Sequence, residues 1–99
     1  METTRQLIEQ LRQHQFHIST AESCTGGMIA SMLVGVSGAS EVFEEGYVTY
    51  SNEVKIKNLG VSAETIRKYT VVSGPVAEEM AKGAADRSGA ALALSTTGY

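Results

Sequence analysis

Residues 16–35, FHISTAESCTGGMIASMLVG, decide the fold because two different periodicities meet in them. Apolar and polar residues alternate over residues 16–20, which predicts a short strand. A small, glycine-containing loop follows at residues 23–27, and then an apolar stripe at helical spacing predicts a helix that stops at Gly35 and buries Met28, Ile29, Met32 and Leu33. Strand, glycine loop and helix together form the unit on which α/β binding sites are commonly built.

The segments on either side extend this unit into a layered domain. Upstream, Leu7, Ile8 and Leu11 lie at helical spacing. Downstream, the sequence predicts strand segments within residues 42–50, helices over residues 52–60, 63–68 and 74–89, and an apolar strand over residues 90–95. Helices that alternate with apolar strands indicate an α/β domain, with α+β as the alternative. We expect a single domain over residues 1–99, with a sheet that is incomplete at its C-terminal end.

The composition indicates a soluble, cytoplasmic protein and does not exclude a small anionic ligand held by main-chain N–H groups. The chain has 99 residues, a formal net charge of −3 and no block of basic residues, which argues against a nucleic-acid surface. It has one cysteine, Cys24, so an internal disulfide is excluded and a reducing compartment is expected. No apolar run approaches the roughly 18 residues of a membrane span.

The loop at residues 21–27 is the first candidate site. Paired glycines allow close backbone approach, and the first turn of the following helix offers N–H groups to a phosphate or an oxyanion. Ser23 and Cys24 are both chemically able to act as nucleophiles. The alternative is structural, with Ser23 or Thr25 only capping the helix.

Two further segments could contribute to the same site. If a helix starts at Ser51 or Asn52, Lys55 lies one turn in, near Tyr50, and a desolvated lysine there could act as a base; the alternative is a solvated surface lysine. Residues 95–98, Ser-Thr-Thr-Gly, follow an apolar strand, and ligands collect at the carboxyl ends of such strands. That segment could equally be a simple turn.

Metal binding is not expected. His14 and His17 lack a cysteine or carboxylate partner at metal-ligand spacing, so we interpret them as surface or strand-edge residues. The acidic pairs Glu44-Glu45 and Glu78-Glu79 are interpreted as solvated faces rather than acid/base pairs.

Taken in order, the segments resemble the C-terminal domain of the CinA (competence/damage-inducible) family. The similar blocks are residues 20–27, residues 43–61 with Tyr50, Asn52 and Lys55, residues 72–81, and residues 92–98. The family's fourth block continues as a glycine- and proline-rich loop, whereas this sequence stops at Tyr99. We therefore expect that the C-terminal part of the domain is missing.

The resemblance implies an amidohydrolase that converts nicotinamide mononucleotide to nicotinic acid mononucleotide and ammonia, without a metal or organic cofactor. Under this hypothesis Ser23 attacks the carboxamide carbon, Lys55 is its base, and Tyr50 relays or orients the proton. N–H groups of residues 25–27 would hold the oxyanion or the phosphate. The expected substrate-binding residues are Glu22, Thr25, Gly26, Gly27, Asn52, Ser73, Thr97 and Gly98.

Three alternatives remain open at this stage. The chain could be a pyridine-nucleotide-binding module without activity, or a truncated fragment that forms homo-oligomers through an exposed sheet edge. The third and weaker alternative is phosphoryl transfer, because the sequence lacks the P-loop lysine spacing and an obvious carboxylate for magnesium.

Overall fold

The computed structural model describes residues 2–99 and confirms the α/β class. Its elements are α1 (Glu2–His14), β1 (Ile18–Glu22), α2 (Met28–Val34), β2 (Gly46–Val48), α3 (Asn52–Leu59), α4 (Ala63–Tyr69), α5 (Gly74–Ser88) and β3 (Leu92–Ser95). A 3₁₀ turn at Ala39–Glu41 lies between α2 and β2.

The three strands form a parallel sheet in the order β2-β1-β3. Ala21 on the central strand is in register with Tyr47 on one side and with Ser95 on the other. All three strands therefore point their carboxyl ends to the same edge of the sheet. This edge is where the loops after β1, β2 and β3 meet.

Local signals fix the helix ends. Ser51, Ser62 and Ser73 each accept a hydrogen bond from a main-chain N–H in the first turn of α3, α4 and α5. Gly60 and Gly89 follow α3 and α5 in the left-handed conformation, which a residue with a Cβ adopts only at a cost. These starts and stops agree closely with the sequence predictions.

Helices cover both faces of β1, so all five of its residues are buried. One core lies toward α1 and α2 and consists of Ile8, Leu11, Ile18, Leu33, Ala39 and Val42. The other lies toward α3 and α5 and consists of Ala21, Leu59, Val61, Val76, Met80 and Ala84. Because both faces are covered, the apolar/polar alternation seen in the sequence does not correspond to a solvent-exposed face.

Two details of the prediction are wrong. The first strand runs two residues later than expected, since Phe16 is 48% exposed and lies before β1. Met28 and Met32 in α2 are exposed by 62% and 40%, because that helix contacts the core mainly through Leu33 and Ile29. By contrast, the strand predicted within residues 42–50 is confirmed, as the single short strand Gly46–Val48.

Glu79 is not a simple solvated side chain. Its carboxylate accepts hydrogen bonds from the main-chain N–H of Ser62 at 2.7 Å and from the hydroxyl of Thr65 at 2.6 Å. These bonds lower the pKa of Glu79 below its usual value. The residue therefore joins α5 to the start of α4.

Candidate active site

A buried serine–lysine pair lies at the carboxyl edge of the sheet. Ser23 is the first residue after β1, and Lys55 lies in the first turn of α3. The Lys55 Nζ is 3.0 Å from the Ser23 Oγ, although the two residues are 32 positions apart in sequence. Their exposed fractions are 5% for Ser23 and 1% for Lys55.

The helix α3 explains why a lysine is buried here. Ser51 caps the helix by accepting from the N–H of Val54 at 3.1 Å, which fixes where the first turn begins. Lys55 and Leu59 are four residues apart and hence on one helix face, and both are buried. The hydrophobic contact of Leu59 thus turns the lysine toward the interior.

Burial lowers the pKa of Lys55 below its usual value, and the neighbouring Cys24 acts in the opposite direction. The amine has two oxygen partners, the Ser23 hydroxyl and the main-chain carbonyl of Tyr50 at 3.4 Å. A neutral amine can donate an N–H to that carbonyl while its lone pair accepts the serine proton. The geometry is suitable for a general base acting on a hydroxyl nucleophile.

An open pocket of about 230 Å³ adjoins the pair. Its walls come from the loop after β1, the start of α3, the segment before α5 and the end of β3. The lining residues are Ser23, Cys24, Tyr50, Asn52, Lys55, Val71, Thr97, Gly98 and Tyr99. The structure therefore brings Tyr50, Asn52, Thr97 and Gly98 together with the serine–lysine pair, as residues that line one pocket.

Tyr50 contacts the lysine through its backbone rather than through its phenol. The carbonyl oxygen of Tyr50 accepts from Lys55, while the residue as a whole is 77% exposed. Tyr50 is also one of the residues that line the pocket. Proton relay through the phenol remains a prediction.

Glu22 is directed away from this pocket and toward the start of α2. Its carboxylate accepts from the N–H groups of Ile29 at 2.8 Å and Ala30 at 2.9 Å, and from the Thr25 hydroxyl at 2.6 Å. Burial raises the pKa of Glu22, but these bonds and the Gly27 N–H outweigh burial and lower it overall.

An internal anion therefore occupies the N-terminus of α2. The Gly27 N–H faces the Glu22 carboxylate, and the Gly26 N–H donates to the Ser23 carbonyl at 3.1 Å. Gly26 and Gly27, at φ of 61° and 105°, shape the turn, and within residues 2–99 they are not part of the pocket wall. The structure does not bring Glu22, Gly26 and Gly27 together with the pocket residues.

Of the other predicted substrate-binding residues within residues 2–99, Thr97 and Gly98 line the pocket and Ser73 does not. Thr97 donates to the Val71 carbonyl at 2.9 Å, which joins the end of β3 to the segment before α5. Gly98 lies against Cys24, since a Cβ added there would be 3.1 Å from the cysteine Sγ. Ser73 caps α5 and, in the part of the chain that the structure describes, does not line the pocket.

Thr96 lies in the candidate segment 95–98, but it was not among the predicted substrate-binding residues, and its contact with Ser23 was not predicted. The Thr96 Oγ1 accepts from the N–H of Ser23 at 3.3 Å and is 2.8 Å from the Thr25 hydroxyl. Only the sheet order β2-β1-β3 brings it next to Ser23.

Residues 2–99 contain neither a cluster of metal-ligating side chains nor a membrane-spanning helix. Cysteine, histidine, aspartate and glutamate side chains there do not gather in threes as metal ligands would. None of the helices in that range combines the length and hydropathy needed to cross a membrane.

These features define a layered α/β domain with a buried serine–lysine pair at the carboxyl edge of a parallel sheet. A comparison with known protein families then identifies it. The chain belongs to the CinA C-terminal domain family, whose model matches residues 1–99.

Known relatives agree with this assignment. A competence-damage inducible protein of Caldicellulosiruptor saccharolyticus is 51% identical over 92 residues, which are 93% of this chain and 22% of that protein. The crystal structure of a CinA superfamily protein from Escherichia coli has a TM-score of 0.95 and 40% identity, covering 97% of this chain and 56% of that one. The competence/damage inducible protein CihA of Agrobacterium tumefaciens has a TM-score of 0.91 and 40% identity, covering 98% and 59%.

The chain thus spans about a fifth of the length of the curated relatives it matches, at 22% for the Caldicellulosiruptor protein. It spans somewhat more than half of the solved structures, at 56% and 59%.

Proposed function

We propose that this domain is an amidohydrolase that converts nicotinamide mononucleotide to nicotinic acid mononucleotide and ammonia. The observation that supports it most is the 3.0 Å contact between the Lys55 Nζ and the Ser23 Oγ in a buried position beside a pocket. Amide hydrolysis needs a nucleophile with a base in contact, and a serine–lysine pair is a known solution.

In the first half-reaction, Lys55 accepts the proton of the Ser23 hydroxyl while the Oγ attacks the carboxamide carbon. The tetrahedral intermediate collapses with cleavage of the C–N bond. The Lys55 ammonium returns the proton to the departing nitrogen, so ammonia leaves and an acyl-serine ester remains.

In the second half-reaction, water replaces the amine. Lys55 takes a proton from water, the hydroxide oxygen attacks the ester carbonyl, and the C–O bond to Ser23 breaks. The serine alkoxide recovers its proton from Lys55, and the new carboxylic acid releases its proton to water and leaves as the carboxylate. Tyr50, Asn52, Thr97 and Gly98 are proposed to contact the substrate from the pocket wall.

The proposed setting is the cytoplasm, because a single exposed cysteine suits a reducing compartment. We also propose that the chain forms homo-oligomers. The support is the apolar surface of β3, where Leu92 and Leu94 are exposed by 46% and 44%.

The test is ammonia release from nicotinamide mononucleotide, followed in a coupled assay. Ser23→Ala and Lys55→Met are expected to reduce turnover by at least about a thousandfold, because members of a nucleophile–base unit fail together. Lys57→Met, an exposed lysine on the same helix, is the matched control and keeps its activity. Near-wild-type turnover in Ser23→Ala or Lys55→Met would contradict the assigned roles.

Calorimetric titration separates the enzyme from a binding module. Tight binding of the nucleotide by wild type, without ammonia release, would reject hydrolysis and favour recognition alone.

A further inference from the structure

A line of side chains connects the nucleophile to the start of α2. The Ser23 N–H donates to the Thr96 Oγ1 at 3.3 Å, the two threonine hydroxyls are 2.8 Å apart, and the Thr25 Oγ1 donates to the Glu22 carboxylate at 2.6 Å. We call the side chains of Thr96, Thr25 and Glu22 the threonine bridge. It joins the end of β3 to the loop after β1 through the contact between Thr25 and Thr96, which are 71 residues apart.

The direction of each hydrogen bond follows from the number of protons. The Glu22 carboxylate is held charged by its N–H donors, so it can only accept. Thr25 therefore uses its one hydroxyl proton on Glu22 and must accept from Thr96. Thr96 has then used its own proton, and its lone pair is free to accept the Ser23 N–H.

Both ends of the threonine bridge are anchored. The Thr96 N–H donates to the Ala21 carbonyl at 3.0 Å, which extends the pairing of β3 with β1. Glu22 is 1% exposed and holds the first turn of α2. Ser23 directly follows Glu22 in the chain and is hydrogen-bonded to Thr96, and both of these residues are held in place. The serine therefore has little freedom to move away from Lys55.

We propose that Thr96 is a positioning residue for Ser23: its hydroxyl fixes the serine main chain so that the Oγ stays within reach of the Lys55 amine. This inference rests on the nucleophilic role assigned to Ser23 above. It predicts that loss of the Thr96 hydroxyl slows the chemical step, since a displacement of about 1 Å can cost about a hundredfold in rate.

The experiment measures labelling of Ser23 by a fluorophosphonate, which needs no amide substrate. An Oγ–P bond forms, the P–F bond breaks, fluoride leaves, and the hydroxyl proton passes to Lys55. Mass spectrometry of the intact chain and of its peptides gives the rate and the labelled residue.

Thr96→Val is expected to label about tenfold to a hundredfold more slowly than wild type. Thr96→Ser keeps the hydroxyl and is expected to restore the rate to within about threefold of wild type. Thr65→Val is the matched control, because it also removes a threonine-to-glutamate bond, of 2.6 Å, but between α4 and α5; it labels at the wild-type rate. If Thr96→Val does not fold, Thr96→Ala takes its place.

Wild-type labelling of Thr96→Val, or slow labelling of Thr96→Ser, would overturn the positioning role. If wild type is not labelled at Ser23, both the activated nucleophile and its positioning are rejected. The expected labelling pattern without ammonia release from nicotinamide mononucleotide would reject the proposed amidase alone. Ammonia release with equal rates in wild type and Thr96→Val would reject the positioning role alone.

Discussion

At the scale of single residues, the molecule keeps an amine in its interior at a cost in stability. Lys55 is 1% exposed and its neighbours include Leu59, a core residue of the same helix face. Burial disfavours the ammonium form, so the folded state holds this proton less tightly than the unfolded chain does. A buried lysine of this kind is suited to act as a base, but it lowers the stability of the fold.

This cost predicts how stability depends on pH. The unfolded lysine titrates near its usual value of 10.5 and the folded one lower. Between the two pKa values the unfolded state binds more protons, so this residue makes the free energy of unfolding rise with pH up to about 10.5. Lys55→Met should remove that rise and should stabilise the fold at pH 7 by about 1 kcal/mol.

Urea unfolding of both proteins at a series of pH values measures this effect. Lys57→Met, on the exposed side of α3, should leave the slope unchanged. If the free energy of unfolding of Lys55→Met at pH 7 is lower than that of wild type, the buried lysine does not destabilise the fold.

Glu22 also makes the free energy of unfolding rise with pH, but its charged form stabilises the fold, whereas the charged form of Lys55 destabilises it. The lowered pKa of Glu22 means that its contribution is fully present above its usual value of 4.5 and is lost as the pH falls through the folded pKa. Glu22→Gln should therefore cost about 1.5–3 kcal/mol at pH 7, the range for hydrogen bonds to a charged group. The deficit should shrink below pH 4.5.

Thermal unfolding at pH 7 and at acid pH tests this prediction. Glu53→Gln, in the exposed first turn of α3, is the control and should change stability little. If the loss of stability in Glu22→Gln is the same at acid pH as at pH 7, the charge of Glu22 does not stabilise the start of α2.

The sequence reveals part of this residue-scale arrangement. The positions of Ser23 and Lys55 could be predicted from local sequence patterns. Ser23 follows the end of a strand, and Lys55 lies one turn after a helix cap. The sequence does not show whether Glu22 faces a ligand or the helix α2, because that depends on the side of β1 to which its side chain points. The contact between the Thr96 hydroxyl and the Ser23 N–H could not be predicted, because the two residues are 73 positions apart in sequence.

At the scale of elements, one helix crossing holds the site in place. α3, which contains Lys55, crosses α5 at Gly83, and a Cβ added to Gly83 would lie 1.9 Å from the Leu59 carbonyl oxygen. The atom in the way is backbone, so the helices would have to separate. A glycine is required there by close approach rather than by its own conformation.

Gly83→Ala should therefore destabilise the fold by about 3 kcal/mol or more, the upper range for overpacking. It should also weaken the Lys55–Ser23 contact, because α3 moves as a unit. Gly35→Ala is the control: that residue has φ of −70° and room for a Cβ at 3.5 Å from its nearest neighbour, so its stability should be unchanged or slightly higher. Denaturant midpoints compare the two, and equal midpoints would contradict the tight crossing.

Elements were predictable from the sequence to the extent that their signals are local. Serine caps and left-handed glycines mark the ends of α3 and α5, and the structure has both helices where the pattern indicates. The start of β1 and the exposure of Met28 depend on which neighbours cover each face. That information lies in the packing of the layers, and the periodicity of one segment does not contain it.

At the scale of the whole molecule, the two faces of the sheet are covered unequally. α3 and α5 pack across the face that contains Ala21, whereas α1 and α2 leave β3 uncovered on the other face. Leu92 and Leu94 alternate with half-buried neighbours along β3 and point to that second face. Two exposed leucines on an edge strand form an apolar patch that favours association.

We therefore expect self-association that depends on this patch and on protein concentration. Leu94→Lys should shift the chain toward the monomer in sedimentation velocity, because it places a charge in the contact while leaving the helix-covered core intact. Val34→Lys, at a similarly exposed apolar position of 59% but at the end of α2, should sediment like wild type. A wild-type chain that stays monomeric at tens of micromolar, or equal association of wild type and Leu94→Lys, would show that the leucine face of β3 does not bind a second copy.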